Sequence, residues 1–283
     1  MGRLVKHNKK MIEIHGDDVV LEARSHAELP SPDAKATLVH AATLNLERVG
    51  VRYGGVQAMD DISFQISPGR VYGLIGPNGA GKSTTINVIA GVTRPSSGRV
   101  KFNDQDITDW QPHQRARSGL ARSFQNLALF PSMTVRENIA CGVAAGRRGP
   151  SRYDRDAIVD EEIDRFRLGP FQHELVAVQS LGMRKRVELA RALVSKPSLL
   201  LLDEPAAGLA PQEIHELSIL VRGICGTGAS VLLIEHDMDL VMSLCEHIFV
   251  LDFGRLIAEG TPNEVRANPV VQAAYFGDGV ESH

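Results

Sequence analysis

Cysteine is scarce. Cys141, Cys225 and Cys245 are far apart in 283 residues and show no metal-ligand spacing, so they read as small buried apolar side chains in a reducing compartment. No apolar run approaches the length that spans a bilayer. Arg3, Lys6, Lys9 and Lys10 near the N-terminus are not followed by the apolar stretch of a signal peptide. The expected location is therefore the cytoplasm and, for work at a membrane, its cytoplasmic face. Charge of one sign is missing too: 31 Lys and Arg face 34 Asp and Glu, for a net −3. That balance argues against a nucleic-acid binder. The basic clusters Arg147-Arg148 and Arg184-Lys185-Arg186 read as solvated faces. No internal repeat or low-complexity tract is visible.

What is present changes character along the chain. Residues 1–42 are polar and weakly periodic and read as a flexible extension. "TLNLERVGVRYGG" from Thr43 and "ISFQI" alternate like strands and end in turns, and "VYGLI" (71–75) is a continuous apolar run typical of a buried strand. The middle, 126–178, shows amphipathic helical patterns near 134–145 and 154–168 and no convincing strand. Strands return at 198–203, 230–235 and 247–252 with helices between, and "PNEVRANPVVQAAYF" predicts a terminal helix pair without chemistry. The order implies a mainly parallel α/β sheet covered on both faces and interrupted by a helical block.

"GPNGAGKST", Gly76–Thr84, fits G-x-x-x-x-G-K-[ST], a match that random composition would produce roughly once in a hundred chains of this length. A buried strand enters it and an apolar-patterned helix leaves it. Gly76, Gly79 and Gly81 let backbone N–H groups turn toward a polyphosphate, where a Cβ would intrude, and the helix N-terminus adds partial positive charge. Lys82 is expected to reach the β- and γ-phosphates and Ser83 to offer a hydroxyl to Mg²⁺. Asn78, Ala80 and Thr84 complete the phosphate-binding stretch. "LLLLDE" (199–204) supplies Asp203 for the Mg²⁺ ion and its water shell, and Glu204 to polarise the attacking water. The Asn-Lys-x-Asp element that selects guanine is missing, so ATP is the expected nucleotide.

Phosphate loop, "RSFQN", "QSLGM", "LLLLDEP" and "LLIEHD" in this order resemble the motif set of ABC-transporter ATPase subunits over about residues 43–277. "DEPAAGLAPQE", "LLIEHDMDLVM" and the ending "EGTPNEVRANPVVQAAYFG" are similar to the ATP-binding subunits of branched-chain amino-acid importers. The resemblance implies a P-loop NTPase core with a mainly parallel sheet, an N-terminal antiparallel β-subdomain and a helical subdomain inserted at about 126–195, with residues 278–283 as a tail. It implies Tyr53 stacking on adenine, a position otherwise read as edge packing. It implies Gln125 at Mg²⁺ or the attacking water, and His236 at the γ-phosphate. The rival metal site from Glu235, His236 and Asp237 is poor, because adjacent residues on a strand or turn do not converge.

Residues 179–183 stand where the family carries Leu-Ser-Gly-Gly-Gln. Ser180 is a good N-cap, and Met183, Val187, Ala190 and Val194 share one helical face. By resemblance, Ser180 and Gly182 would meet the γ-phosphate held by a second subunit, in a head-to-tail homodimer or heterodimer. Leu181 replaces a Gly, and Met183 replaces a Gln at the cost of a hydrogen bond worth about 1 kcal/mol. Ala210 stands where Asp or Asn is common. The implied partners are a second ATPase subunit, transmembrane permease subunits meeting "NLALFPSMTVREN", and indirectly a solute-binding protein if the system imports. The permease contact region continues into "AGRRGPSRYD", shorter than the insertion relatives often carry. Three alternatives stay open: a lipopolysaccharide-type export ATPase with a similar tail, a soluble ABC protein acting on nucleic acid or ribosomes, and a weakly hydrolysing or non-hydrolysing regulatory nucleotide-binding module.

Overall fold

The computed structural model describes residues 42–123, 127–143 and 152–276. The chain opens with an antiparallel pair, β1 (Leu44–Tyr53) and β2 (Val56–Ile66), joined at the Gly54-Gly55 turn, then the buried β3 (Val71–Ile75) and α1 (Lys82–Ile89). β4 (Ser97–Phe102), β5 (Gln105–Asp106), α2 (Pro112–Ser118) and β6 (Leu120–Arg122) follow. Next come α3 (Val135–Val143), α4 (Arg152–Arg165) and α5 (Leu181–Leu193). The last third runs β7 (Leu199–Asp203), α6 (Pro211–Cys225), β8 (Ser230–Ile234), α7 (Met238–Leu244), β9 (His247–Asp252), β10 (Arg255–Gly260), α8 (Pro262–Ala267) and α9 (Pro269–Phe276).

Two sheets result. One is antiparallel, in the order β2-β1-β4-β5; the other is six-stranded, in the order β10-β9-β3-β8-β7-β6. All pairs of the second are parallel except β9–β10. Its apolar strands divide their side chains by parity, as a pleat requires. Leu200 and Leu202 of β7, Val231 and Leu233 of β8, and Ile248 and Val250 of β9 join a core with α3 to α9. Their neighbours Leu199, Leu201, Leu232, Ile234, Phe249 and Leu251 join a second core with α1 and the antiparallel sheet. A continuous apolar run thus serves two layers at once.

Every strand read from the sequence is present, β3 residue for residue. β4, β5, β6 and β10 lay outside that reading because they are short, or carry charges at exposed edge positions. α3 and α4 fall on the stretches near 134–145 and 154–168 that the pattern marks as helical, and among the described residues between 127 and 178 the one β feature is an isolated bridge between Thr134 and Leu175. Prolines at the first helical positions of α2, α6, α8 and α9 start those helices, where a missing N–H costs nothing. Of the expected extension 1–42, only Ala42 is described, and it is buried against β1's core. The Arg147-Arg148 cluster and most of "AGRRGPSRYD" lie outside the described residues.

Candidate functional site

The carboxyl ends of β3, β7 and β8 lie side by side, with β8 between the other two. They gather the polar residues of the site at one edge of the parallel sheet, where α/β folds place ligands.

The phosphate loop leaves β3 at Gly76. Its φ of 151° lies outside the range of L side chains, and a Cβ there would collide with the Leu251 carbonyl of β9. Gly81, at φ 101°, is the N-cap of α1 and sits against the Ala58 carbonyl. The loop is wedged between β2, β9 and α1. Gly254, in the β9–β10 turn, donates its N–H to Ala80 O at 3.1 Å. Asn78, Gly79 and Ser83 are exposed on the loop's outer side, while Ala80 is buried and Thr84 is half-buried beside them. Lys82 is buried, and its Nζ donates to the carbonyls of Gly76 (2.7 Å) and Pro77 (2.9 Å). Burial lowers its pKa; Glu204 and Asp203 act in the opposite direction, which also locates both carboxylates close to the ammonium.

Asp203 ends β7 almost without exposure. Burial raises its pKa, opposed by Arg122 of β6, whose Nη2 lies 3.1 Å from Asp203 Oδ2. The same guanidinium donates from Nη1 to Asn87 Oδ1 of α1 at 2.6 Å. Arg122 therefore ties the helix of the phosphate loop to the carboxylate at the end of β7 and offsets the cost of burying that charge. The sequence reading passed over it, although "ARSFQN" places it three residues before Gln125. Gln125 itself lies outside the described residues.

Glu204 is the first residue past β7 and has φ 51°, a left-handed conformation that costs an ordinary residue about 1–2 kcal/mol. Its N–H donates to Ile234 O of β8 at 2.9 Å, and its Oε1 lies 2.8 Å from His236 Nε2. Glu235, between them, is buried and points elsewhere: it accepts from Ala206 N (2.6 Å) and His236 N (3.2 Å). Burial pushes its carboxyl pKa up, and these two N–H groups act against the shift. Asp237 caps α7 through Leu240 N at 3.0 Å. The three side chains diverge, which disposes of the metal-site reading. Among the described residues no cluster of three or more His, Cys, Asp or Glu could hold a metal ion. The donor set is hard oxygen, the Asp203 carboxylate and the Ser83 hydroxyl, which fits a Mg²⁺ ion that takes its remaining ligands from phosphate and water.

Tyr53, at the end of β1, exposes half its surface, and its hydroxyl lies 3.3 Å from Thr93 Oγ1. A second tyrosine was missed. Tyr275 of α9, one helical turn beyond the buried Val271, is about a third exposed (36%) and lies near the Gly76 backbone; desolvation pushes its phenol up to about 12, and the Gly76 N–H acts against that shift. The terminal helix pair thus touches the phosphate loop, a contact that its apolar pattern does not announce.

α5 begins as expected: the Ser180 hydroxyl accepts from Met183 N at 3.2 Å. Ser180 and Leu181 are exposed, and Gly182 is buried against the Glu213 carboxylate, which in turn accepts from Ala210 N at 2.9 Å. Ala210 has no side-chain oxygen, so this is one half of a capping box for α6. Gly208 faces Leu181, and Arg186 pairs with Glu216. Met183 turns to the core face with Val187, Ala190 and Val194.

A glycine-rich loop from a buried strand, a lysine on it, and Asp-Glu ending a neighbouring parallel strand define a phosphate-loop nucleoside-triphosphatase. The chain belongs to the ABC transporter family, whose profile matches residues 59–207, and it is an ATPase subunit of that type. A second profile, the branched-chain amino acid ATP-binding cassette transporter, matches residues 255–281. The chain is 35% identical to the high-affinity branched-chain amino acid transport ATP-binding protein BraF of Pseudomonas aeruginosa, over 83% of this chain and 98% of that one. It is 36% identical to LivG of Escherichia coli over the same shares. It is 32% identical to the lipopolysaccharide export system ATP-binding protein LptB of Escherichia coli, over 84% and 98%. A nucleotide-free ATP-binding cassette from an ABC transporter superposes with a TM-score of 0.75 at 31% identity, covering 84% of this chain and all of that one. The ADP conformation of such a cassette gives 0.73 at 32% identity, over 84% and 99%.

Proposed function

We propose that this chain is the ATP-hydrolysing subunit of an importer for branched-chain amino acids or a related small polar solute. The observation that carries the reading is the C-terminal match at 255–281 to the branched-chain cassettes, joined to near-complete coverage of BraF and LivG. The export reading keeps one support, the 32% identity to LptB.

In this reading residues 43–277 are the ABC ATPase domain, 126–195 its helical subdomain, and 278–283 a tail. Tyr53 stacks on adenine with its exposed face. Backbone N–H groups of Gly76–Thr84 cradle the phosphates, and Lys82 neutralises them from inside the loop. Asp203, Ser83 and Gln125 would hold Mg²⁺, which supplies charge neutralisation at the phosphates. Glu204 takes a proton from the attacking water, with His236 fixing its carboxylate at 2.8 Å and reaching the γ-phosphate. Ser180 and Gly182 present the α5 N-terminus to the γ-phosphate on a second copy or a similar subunit.

The permease contact has a matching surface. An apolar cavity of about 430 Å³ opens between α2 and β6 on one side and α3 and α5 on the other, lined by Val92, Ala116, Ala128, Phe130 and Ala192 among others. Phe130 is half-exposed at its rim. Such a groove fits a short apolar segment of a transmembrane subunit. No helix among the described residues is long and apolar enough to cross a membrane, so attachment to the cytoplasmic face would come through that contact. A solute-binding protein would take part indirectly; nucleic acid has no role.

Co-expression of the tagged chain with branched-chain permease subunits and, separately, with lipopolysaccharide-export subunits tests this. The expected result is membrane recruitment and co-purification only with the first pair. Recovery of the export subunits instead would end the importer reading.

A further inference from the structure

Glu204 needs support. Its left-handed φ of 51° persists only where the surroundings over-determine it. One of those restraints comes from α5. Lys185, one turn into that helix, sends its Nζ to two successive carbonyls, Pro205 O at 2.6 Å and Glu204 O at 3.3 Å. The side chain is partly buried, in a small cavity shared with Ser123, Leu127, Glu188 and Asp203. Its charge faces Glu235, Glu188 and Glu204. A primary ammonium bridging consecutive carbonyls fixes the peptide plane between them, and with it the direction in which the Glu204 side chain leaves the backbone. The same helix begins at Ser180 and Gly182, and the loop after Glu204 returns to it, with Gly208 facing Leu181 and the Ala210 N–H held by Glu213 beside Gly182.

We propose that Lys185 is a positioning residue that carries the placement of the α5 N-terminus to the backbone of Glu204. A phosphate seated on Ser180 and Gly182 then sets the general base of the same chain for the nucleotide on its own phosphate loop. In a head-to-tail dimer each Lys185 links one nucleotide site to the other. The inference rests on the reading above of Glu204 as base and of α5 as phosphate sensor.

The test uses the full chain with Lys185→Met, Lys185→Arg, Glu204→Gln and the double variant Glu204→Gln/Lys185→Met. Steady-state kcat and KM, single-turnover hydrolysis, binding of a fluorescent ATP analogue and melting temperature are read for each. Lys185→Met keeps the stem and loses the donors. The expected result is a kcat at least tenfold lower, with KM and analogue affinity within about twofold of wild type. Lys185→Arg, which can still donate to two carbonyls, recovers most of the rate. The double variant is no slower than Glu204→Gln alone, because both changes act on one step. A wild-type kcat in Lys185→Met overturns the proposal. So does a double variant slowed by the full factor of the single one, or a rate loss accompanied by lower melting that Lys185→Arg does not rescue. If Glu204→Gln itself hydrolyses at the wild-type rate, the reading of the site fails first, and that result is separate from the Lys185 arms.

Discussion

In the proposed function the phosphate loop and the start of α5 both meet phosphate, and they are built differently. In the loop the backbone is the instrument. Gly76 and Gly81 hold φ values of 151° and 101° with strand carbonyls directly behind them, so the letters of the motif cannot drift. At α5 the geometry comes from side chains. Ser180 caps the helix, Leu181 lies on Gly208, and Lys185 bonds two carbonyls. Met183 packs in the core, away from the exposed helix start. A site assembled from side chains can exchange them, which is why "QSLGM" departs from its family pattern while "GPNGAGKST" does not.

The contrast predicts opposite responses to the same small change. Gly76→Ala places a Cβ on the Leu251 carbonyl in a backbone conformation alanine avoids, and should cost about 3 kcal/mol or more with loss of nucleotide binding. Gly182→Ala meets the flexible Glu213 side chain, which can swing aside by giving up its hydrogen bond from Ala210 N; a cost of about 1 kcal/mol is expected. Denaturant titration of both variants measures the difference, and equal costs would erase the distinction.

The helical block offers a second side-chain-built feature. Glu162 of α4 is 2% exposed, with Arg165 at 3.5 Å from Oε1 and, among the described residues, no hydrogen-bond partner on Oε2. Burial pushes its carboxyl from the ordinary 4.5 to about 7, against Arg165 and Lys196 and with Glu161. The folded chain therefore keeps a proton that the unfolded chain releases. That contribution to stability is complete below pH 4.5 and is lost as pH rises through 7. Glu162→Gln should be more stable than wild type at pH 8 by roughly 2 kcal/mol and should lose that advantage at pH 5. Melting curves at the two pH values check this.

The smallest effect returns to the phosphate loop. Tyr275→Phe removes the hydroxyl that lies near the Gly76 backbone, a loss of at most about 1 kcal/mol, or up to roughly fivefold in nucleotide affinity. Equilibrium binding of an ATP analogue measures it. An unchanged affinity would mean that the loop holds its shape without help from α9.

Much of this was legible in the sequence because it follows from strict periodicity or strict geometry. The apolar run "VYGLI" is β3 to the residue, and Ser180 caps α5 as its position before an amphipathic pattern requires. Glu204 and His236 were each named from their motifs, one for the attacking water and one for the γ-phosphate; that they lie 2.8 Å apart comes from the fold. The contacts that were missed are long-range. Arg122 to Asp203 spans 81 residues, and Tyr275 to Gly76 joins opposite ends of the domain. Lys185 lies in "RKR", which reads as a solvated face; only the fold turns one of the three toward a backbone bend. β4 and β10 escaped for the opposite reason, since edge strands with exposed charged positions lack the alternation that identifies a half-buried strand.

Steady-state Mg-ATP hydrolysis by the purified chain beside Glu204→Gln, with the mass of each species followed in the presence of ATP, tests the central claim most directly. Hydrolysis should fall at least about a hundredfold in the variant, which should accumulate as an ATP-bound dimer; this would place phosphate sensing in the altered α5 start and the base in Glu204. A wild-type chain that binds ATP yet neither hydrolyses it nor dimerises, or a Glu204→Gln chain that hydrolyses as fast as wild type, would contradict the account.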